Sequence, residues 1–309
     1  MRNIINNTLK EYDISGKEYI KISSKTAKIT CSGGNCFFLK ETDYTTEEKI
    51  RYLNNSGVNN VLYPIQNKKG NFITKSNNKV YYITPFFENK DQIEPLKFNK
   101  LKHELELLHE STTYRKELSP SESRKKLEEI FNYLRYKFDA IESLVRSVEN
   151  KPFDEFSILI LKEYHNILDA KVVLANLNKK IVEHVKSRKS VDYSFVHNNP
   201  KLDHLVSDNI NNYLISIENS KIGIPSLDLV KLYIECEDIT INKKELFIDY
   251  FNKYSDDFYL DYFCFFVIVY YIKGIITDGK DYVTSQSFVH ASRELTKFMN
   301  DFNLKTKIN

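Results

Sequence analysis

The sequence predicts an α+β protein with a small antiparallel β lobe at the N-terminus and a larger, mainly helical lobe at the C-terminus. Residues 1–90 of the 309-residue chain are rich in short runs of β-branched and aromatic side chains, which favour strands. After Pro95, apolar residues recur at spacings of three and four, which is typical of amphipathic helices. The chain is 41% hydrophobic and 28% charged, so it is able to bury a core. We therefore predict an N-terminal lobe of residues 1–88 and a C-terminal lobe of residues 89–309.

The N-terminal lobe is predicted to carry one helix among its strands. That helix begins at Tyr44, because a threonine cap followed by Glu47 and Glu48 suits the positive end of the helix dipole. Gly33 and Gly34 mark a hairpin loop between two strands. The predicted strands are residues 18–22, 26–30, 36–41, 61–65, 71–75 and 80–84.

The C-terminal lobe is predicted to be helical on both sides of a short β insertion. The helices are residues 98–108, 121–148 and 156–186, and then almost everything from Ser226 onward. Between them, residues 195–206 and 213–217 favour strand and loop. The apolar run Tyr262–Ile272 is well short of the roughly 20 residues that cross a bilayer, so we interpret it as a buried helix and expect no membrane span. The aromatic side chains of residues 258–271 are expected in the core, although some of them are candidates to line a ligand pocket.

Charge and cysteine content exclude several classes of function. Lysine and arginine total 45 against 42 acids, a formal charge of +3, so no nucleic-acid partner is expected. Four cysteines without a C-x-x-C motif make a zinc site or a disulfide scaffold unfavourable. They are typical of a reducing compartment, and the N-terminus lacks a long apolar run, so we expect a cytoplasmic protein.

The β insertion carries the motif that suggests a function. It contains His197, Asn199 and His204 in one segment, then Ser216 and Glu218 shortly after, followed by Pro225-Ser226-Leu227-Asp228-Leu229. This pattern resembles the H-x-D-x-x-x-x-N, D-x-[DE] and P-x-x-D-L motifs of the aminoglycoside phosphotransferase and choline kinase branch of the protein-kinase-like fold. Within that branch, the sequence is most similar to the spore coat kinase-like proteins of Gram-positive bacteria. The resemblance implies a bilobal kinase-like fold.

The resemblance also extends to the N-terminal lobe. Phe37-Phe38-Leu39-Lys40 looks like the strand that offers a phosphate-binding lysine, and Glu47 or Glu48 stands where the ion-pair partner of that lysine belongs. The resemblance therefore implies cofactor binding by Lys40 with Glu47 or Glu48. It further implies that His197 organises the loop backbone, that Asp228 braces the loop, and that His109 packs structurally.

Three departures from the family motifs bear on catalysis. Asn199 replaces the aspartate that accepts the proton of the attacking hydroxyl, and an amide has no useful basicity. His204 and Ser216 replace the asparagine and the aspartate that hold Mg²⁺, a hard cation that prefers oxygen ligands. The loop where nucleotide phosphates are expected, residues 23–25, contains no glycine, so its amides approach a phosphate less closely.

These departures favour a catalytically impaired, pseudokinase-type protein. It would act by capturing a small ligand or a protein partner in the interlobe cleft and would bind ATP or another nucleotide weakly. The resemblance further implies association with the spore coat. The alternative is an active small-molecule kinase for an aminoglycoside, choline or sugar hydroxyl, with Glu218 and Asp203 as relocated Mg²⁺ ligands. A third hypothesis is a structural scaffold whose cleft is filled by its own side chains.

Overall fold

The computed structural model describes residues 2–87, 93–117, 119–152, 154–208, 210–254 and 257–304. Its internal contacts divide the chain into two compact units, each built from two segments. Unit 1 comprises Met1–Tyr114 and Tyr193–Ile241, and unit 2 comprises Arg115–Asp192 and Asn242–Asn309. The lobe boundary predicted between residues 88 and 89 lies outside the described residues and stays a prediction.

A five-stranded antiparallel sheet forms the β-rich part of unit 1. Its strands run in the spatial order β1-β2-β3-β5-β4. Four of the predicted strands are confirmed, and the predicted strand 71–75 is reduced to the three residues of β4. The strand bounds are β1 Gly16–Lys21, β2 Thr26–Cys31, β3 Cys36–Thr42, β4 Thr74–Ser76 and β5 Lys79–Pro85.

The strand predicted over residues 61–65 does not form. Val61 makes an isolated parallel bridge with Leu214, and beyond it the backbone makes single bonds to different neighbours, with Ile65 N donating to Ile83 O at 2.8 Å. Because a strand needs a continuous ladder along one partner, the β-branched composition of this segment was misleading.

A helix that the sequence analysis missed packs on this sheet. Helix α1 spans Arg2–Lys10 and buries Ile5 and Leu9, which are four residues apart and so lie on one face. They join a core cluster with Ile29 and Ile83 of the sheet. The polar, asparagine-rich remainder of the helix hid this short apolar stripe from a periodicity analysis.

Helix α2, Thr45–Asn55, begins close to the predicted residue but is capped differently. The carboxylate of Asp43 accepts from Thr45 N at 2.8 Å and from Thr45 Oγ1 at 2.6 Å, so an aspartate, not a threonine, supplies the first acceptor. The helix then buries Ile50 and Leu53 completely. The cap thus fixes the start of the helix that follows the lysine-bearing strand β3.

The rest of unit 1 holds the predicted β insertion between helices. Strands β7 and β10 pair antiparallel, with Val196 opposite Lys221, and β8 pairs with β9. The loops that carry the predicted motif contain two short 3₁₀ helices, Leu202–His204 and Ile217–Asn219. The further elements are α3 Glu94–Thr112, β6 Tyr114–Glu117, β7 Ser190–Val196, β8 Leu205–Ser207, β9 Asn212–Leu214, β10 Lys221–Gly223 and α6 Ser226–Glu235. Most of β6 and the first three residues of β7 belong to unit 2.

Unit 2 is mainly helical. The apolar run around residues 262–272 lies in α8, where Phe263 and Phe265 are fully buried and Phe263 stacks on Phe247 at 5.1 Å. Tyr270 is half exposed, so the helix has an outer edge and is not buried all round. The helix bounds are α4 Pro120–Glu149, α5 Glu155–Ser187, α7 Lys243–Phe251, α8 Phe258–Gly274 and α9 Asp281–Asp301.

Two further features concern membrane-spanning helices and the cysteines. Within the described ranges, no helix is long and apolar enough to cross a membrane. Cys31 and Cys36 are half-buried free thiols, and Cys236 and Cys264 are buried free thiols.

Candidate functional site

Lys40 is the centre of the candidate site in unit 1. It projects from β3, paired in register with Tyr82 of β5, and its ammonium lies 2.6 Å from Glu218 Oε1. The same ammonium donates to Ser216 Oγ at 2.8 Å. The Lys40 and Glu218 side chains are only 15% and 18% exposed, so this ion pair is less screened by solvent than a surface pair. The tertiary fold thus brings the predicted phosphate-binding lysine onto the predicted metal-binding loop.

The partner of Lys40 differs from the predicted one. Glu47 Oε2 accepts from the backbone amides of Phe72 and Ile73 at 2.9 Å each, and its Oε1 pairs with Arg51 at 2.6 Å. Glu48 is exposed. Arg51 follows Glu47 by one helical turn and therefore competes for its carboxylate. Cofactor binding by Glu47 or Glu48 stays a prediction.

The loop that carries Ser216 and Glu218 has an unusual backbone. Ser216 has φ 64° and ψ 40°, the left-handed region, which costs a non-glycine residue of order 1–3 kcal/mol and persists where the surroundings enforce it. Lys49 of α2 donates to the Glu218 carbonyl, and the Tyr82 hydroxyl reaches Glu218 Oε2 at 3.4 Å. Burial, together with the Glu218 carboxylate, raises the pKa of Tyr82 well above 10.0, so its hydroxyl stays protonated. The carboxylate is therefore held by donors on both oxygens.

Asp228 of α6 anchors the loop that begins at His197. Its carboxylate accepts from His197 N and Asn198 N at 2.6 Å each and faces His109 Nε2 at 3.0 Å. The two histidines and the aspartate are buried, and Asn198 is half-buried. Burial alone would raise the pKa of Asp228, but hydrogen bonding and the charge of neighbouring groups, His109 first, hold it below 3.8. These contacts match the bracing role that the resemblance implies for Asp228.

The two loop histidines are neutral at physiological pH. His197 Nε2 lies 2.7 Å from the Ile215 carbonyl and His204 Nδ1 lies 2.8 Å from the Asn199 carbonyl, so each nitrogen acts as a donor. Burial lowers the pKa of both, and with the neighbouring His197 it brings that of His204 to about 4. Asp203 is largely exposed beside His204, with 3.9 Å between Oδ1 and Nε2. Both rings therefore fix the loop and bring no positive charge to it.

Two lysines in the site were missed by the sequence analysis. Lys49 contacts the Glu218 carbonyl as described, and Lys231 donates to Asn198 Oδ1 at 2.6 Å. Asn198 has a positive φ of 63°, and the hydrogen bond from Lys231 stabilises this residue on its solvent-exposed side. Lys231 follows Asp228 by three residues, so helix periodicity was the available signal that both face the same loop. No sequence signal marks Lys49.

The glycine-free loop between β1 and β2 is folded onto itself. Ile22 N and Ser23 N both donate to the Thr26 carbonyl, at 3.1 and 3.2 Å, and Lys25 N donates to Ser23 Oγ at 3.2 Å. These amides are used inside the turn and do not converge on an external anion. The expectation that the loop handles phosphate poorly stays a prediction.

The donor set fits a divalent cation only in combination with a ligand that brings its own oxygens. Glu218 is a carboxylate, whereas Ser216 and His204 are neutral, and Asp203 points largely to solvent. Over the described ranges, no group of three or more His, Cys, Asp or Glu residues is arranged to hold a metal. Mg²⁺ is commonly held by one or two carboxylates plus substrate phosphates, and Glu218 fits that arrangement.

Comparison with known proteins shows similarity in structure alone. No family model matches the sequence, and no curated protein matches it. An aminoglycoside phosphotransferase from Alicyclobacillus acidocaldarius superposes with a TM-score of 0.69 at 11% identity, over 96% of this chain and 95% of that one. A spectinomycin phosphotransferase, solved with ADP and spectinomycin, gives 0.56 at 14% identity over 98% of both chains. An amicoumacin kinase, solved with AMP-PNP, Ca²⁺ and its ligand, gives 0.54 at 13% identity over 99% and 93%. The predicted fold class, α+β and protein-kinase-like, is therefore confirmed.

Proposed function

We propose that this chain is a nucleotide-dependent phosphotransferase that acts on a hydroxyl group of a small molecule, with a slow chemical step. The observation that carries the proposal is the contact of Lys40 with the Glu218 loop. It occurs in a fold that small-molecule phosphotransferases share over almost their whole length. This similarity supports the enzyme hypothesis better than the pseudokinase hypothesis that the motif departures favoured.

The Lys40–Glu218 pair can be exchanged for a nucleotide and a cation. A phosphate group can take the ammonium of Lys40, which binds phosphate as a point charge. The released Glu218 carboxylate would then be a candidate ligand for Mg²⁺, which is commonly held by one or two carboxylates together with substrate phosphates. Mg²⁺ would supply neutralisation of the phosphate charge. A nucleotide and a cation that arrive together therefore satisfy both members of the ion pair, whereas either alone leaves one of them without its partner.

Asn199 limits the rate of the reaction that we propose. Its amide can orient an acceptor hydroxyl by a hydrogen bond but takes up no proton at neutral pH. The transition state of phosphoryl transfer is loose, so positioning still accelerates the step without a base. Loss of a general base typically costs about 10²–10⁴ in rate. We expect turnover lower than the usual 1–100 s⁻¹ of kinases by roughly that factor.

A second candidate function is a binding protein without turnover. Asn199 and Ser216 favour it, because both replace acids in the family motifs. Such a protein would bind nucleotide through Lys40 without metal and capture a small ligand or a protein partner. Association with a spore coat belongs to this second hypothesis and rests on the resemblance of the sequence.

The experiment that separates the candidates combines ligand-induced stabilisation with product formation. Thermal unfolding is followed with ATP, ADP and Mg²⁺, each alone and together, and ADP release is measured with aminoglycosides, amino alcohols and sugars as acceptors. A phosphotransferase gives Mg²⁺-dependent stabilisation and acceptor-dependent ADP release. Stabilisation by nucleotide without Mg²⁺, and no ADP release, refutes the enzyme and supports the binding protein. No stabilisation at all refutes both and favours the scaffold hypothesis.

Three variants test whether nucleotide binding takes place at the Lys40–Glu218 site. Lys40→Ala is expected to abolish nucleotide stabilisation, because it removes the phosphate contact. Glu218→Gln is expected to keep metal-free nucleotide binding but lose its dependence on Mg²⁺. Lys75→Ala, at an exposed lysine of the same sheet, is the matched control and should behave as the wild type. Equal effects of the two lysine substitutions would show that Lys40 is not the nucleotide contact.

A further inference from the structure

A second candidate site lies in unit 2, in a cavity of about 410 Å³. The cavity is lined by residues of strand β6, the residues that follow helix α5, the start of strand β7, residues 253–254 beyond α7 and the start of helix α8. None of its lining residues belongs to the candidate site of unit 1. The lining residues are Arg115, Arg188, Lys189, Ser190, Asp192, Lys253, Tyr254 and Tyr259.

The lining is strongly cationic. It carries two arginines and two lysines, and Asp192 is the one acid among the described lining residues, which gives a formal charge of 4 − 1 = +3 at neutral pH. Asp192 Oδ1 lies 3.2 Å from Arg115 Nε, so part of its negative charge is directed at one arginine. The whole chain has a formal charge of +3 from 87 ionised side chains. The lining alone therefore carries an excess of positive charge equal to that of the whole chain.

Aromatic side chains hold the cationic wall in place. Tyr254 and Tyr259 stack with ring centroids 3.9 Å apart, and the Arg188 guanidinium lies 5.7 Å from the Tyr259 centroid and 5.0 Å from that of Phe258. The Tyr259 hydroxyl accepts from Asp192 N at 2.8 Å. Burial raises the pKa of Tyr259 to about 12, so the phenol remains an uncharged donor at neutral pH. Cation–π contact with buried rings orients Arg188 before any ligand arrives.

We propose that this cavity binds a small, multiply charged anion of the phosphate class, such as inorganic phosphate, pyrophosphate or a phosphate ester. Its volume lies within the range of small-molecule sites, roughly 300–1,000 Å³. Guanidinium groups match the geometry of phosphate oxygens, and lysines add charge without strict geometry. The chain is nearly neutral overall, which argues for a local anion site and against a polyanion-binding face.

The test is calorimetric titration of the full chain with pyrophosphate and with inorganic phosphate at constant ionic strength. It is run in the wild type and in Lys40→Ala, because the site of unit 1 also offers a phosphate contact. We expect saturable binding that persists in Lys40→Ala. Arg188→Gln should weaken it by about tenfold or more, since a charge-assisted hydrogen bond is lost. The matched control Arg146→Gln, at an exposed arginine outside the cavity, should leave it unchanged.

Two further variants keep the proposal falsifiable. Because Arg188 packs on buried rings, its substitution could disturb folding, so the exposed Lys253→Gln serves as an independent probe and should weaken binding severalfold. Asp192→Asn removes the acid and should tighten binding by about two- to fivefold, a gain that misfolding cannot produce. Inorganic phosphate that competes with pyrophosphate indicates that the anion itself is recognised. A phosphate ester that binds while both inorganic ions fail indicates a site for the ester, which also supports the proposal.

The result that would overturn the proposal is equally defined. Absence of saturable binding by pyrophosphate, phosphate and simple phosphate esters in Lys40→Ala overturns it, as does tight binding that Arg188→Gln and Lys253→Gln both leave intact. Binding of a polyanion such as heparin without binding of any small phosphate also overturns it, because that outcome indicates a surface for a macromolecule. None of these outcomes bears on nucleotide binding at Lys40, so the two proposals fail separately.

Discussion

Replacement of Asp228 by alanine is expected to destabilise the protein more than any other change in the candidate site. The carboxylate is fully buried and accepts two backbone amides at 2.6 Å while facing His109 at 3.0 Å. Alanine leaves those donors in the interior without an acceptor. The loop from His197 to His204 would then be held to α6 only by weaker contacts such as that of Lys231 with Asn198.

The magnitude follows from the contacts that are lost. A hydrogen bond to a charged acceptor contributes about 1.5–3 kcal/mol, and breaking a buried charged network by removing one partner costs about 3–5 kcal/mol in total. We therefore expect Asp228→Ala to lower the free energy of unfolding by about 3–5 kcal/mol. Asp228→Asn has nearly the same shape and keeps one acceptor oxygen, so about 2–3 kcal/mol is expected.

The assay is urea unfolding monitored by circular dichroism, with Asp203→Ala as the control. Asp203 lies on the same loop but its side chain is 73% exposed, so its replacement should change stability by no more than about 0.5 kcal/mol. If Asp228→Ala stays within about 1 kcal/mol of the wild type, the carboxylate does not brace the loop and the reasoning is refuted.

The pH dependence of stability provides a second test of the hydrogen bonds made by the Asp228 carboxylate. The folded-state pKa of Asp228 is below 3.8, so its contribution is fully present above the unfolded pKa and is lost as the pH falls through the lower folded value. The stability difference between the wild type and Asp228→Asn should consequently be constant near neutral pH and shrink below pH 3.8. A difference that shrinks already near pH 6 would mean that another group is responsible.

Three further predictions concern the same site. Glu47→Gln should cost about 1–2 kcal/mol, because its carboxylate accepts two backbone amides, whereas exposed Glu48→Gln should be nearly neutral in urea unfolding; equal costs would contradict this. The pKa of His204 is about 4, below the ordinary 6.5, so the unfolded chain binds more protons between these values. Stability should therefore fall by up to about 3 kcal/mol as the pH drops from 6.5 to 4, and less in His204→Gln; an imidazole that titrates above pH 6 by NMR would refute it. Restoring acids by Asn199→Asp with Ser216→Asp should raise ADP release at least about tenfold, and no gain would show that other features limit the rate.

The pairing of Lys40 with Glu218, in place of the predicted Glu47 or Glu48, has a physical consequence for ligand binding. Lys40 is neutralised by a residue of the candidate metal loop, and Lys49 holds the backbone of that same loop to α2. A ligand that takes Lys40 alone must leave the Glu218 carboxylate partly buried without its cation, which is unfavourable. Nucleotide affinity should therefore depend on whether a cation accompanies it. This coupling is what the Glu218→Gln variant removes.

Much of the site was predictable from the sequence because it depends on local order. The strand that bears Lys40, the loop from His197 to His204 and the aspartate of α6 all follow from short motifs and hydrophobic periodicity. The positive φ of Ser216 had no sequence signal. The contact of Lys231 with Asn198 joins residues 33 positions apart, although the three-residue spacing of Asp228 and Lys231 was a signal that both face the same loop. Local spacing therefore identified many residues of the site, but neither Lys49 nor Glu218 as the partner of Lys40.

The sequence by itself determined the α+β class, the order of most strands and helices and the acids missing at positions 199 and 216, because composition and periodicity encode which face of most elements is buried. Only the tertiary structure decided which acid meets Lys40, because the sequence does not rank Glu47, Glu48 and Glu218 as partners of the lysine. In the structure Glu47 binds a backbone amide and Arg51, and Glu218 pairs with Lys40. The tertiary structure also decided that α1 packs on the sheet and that distant cations surround one cavity in unit 2. Contacts between residues far apart in the chain depend on how elements pack, and no local pattern records that packing.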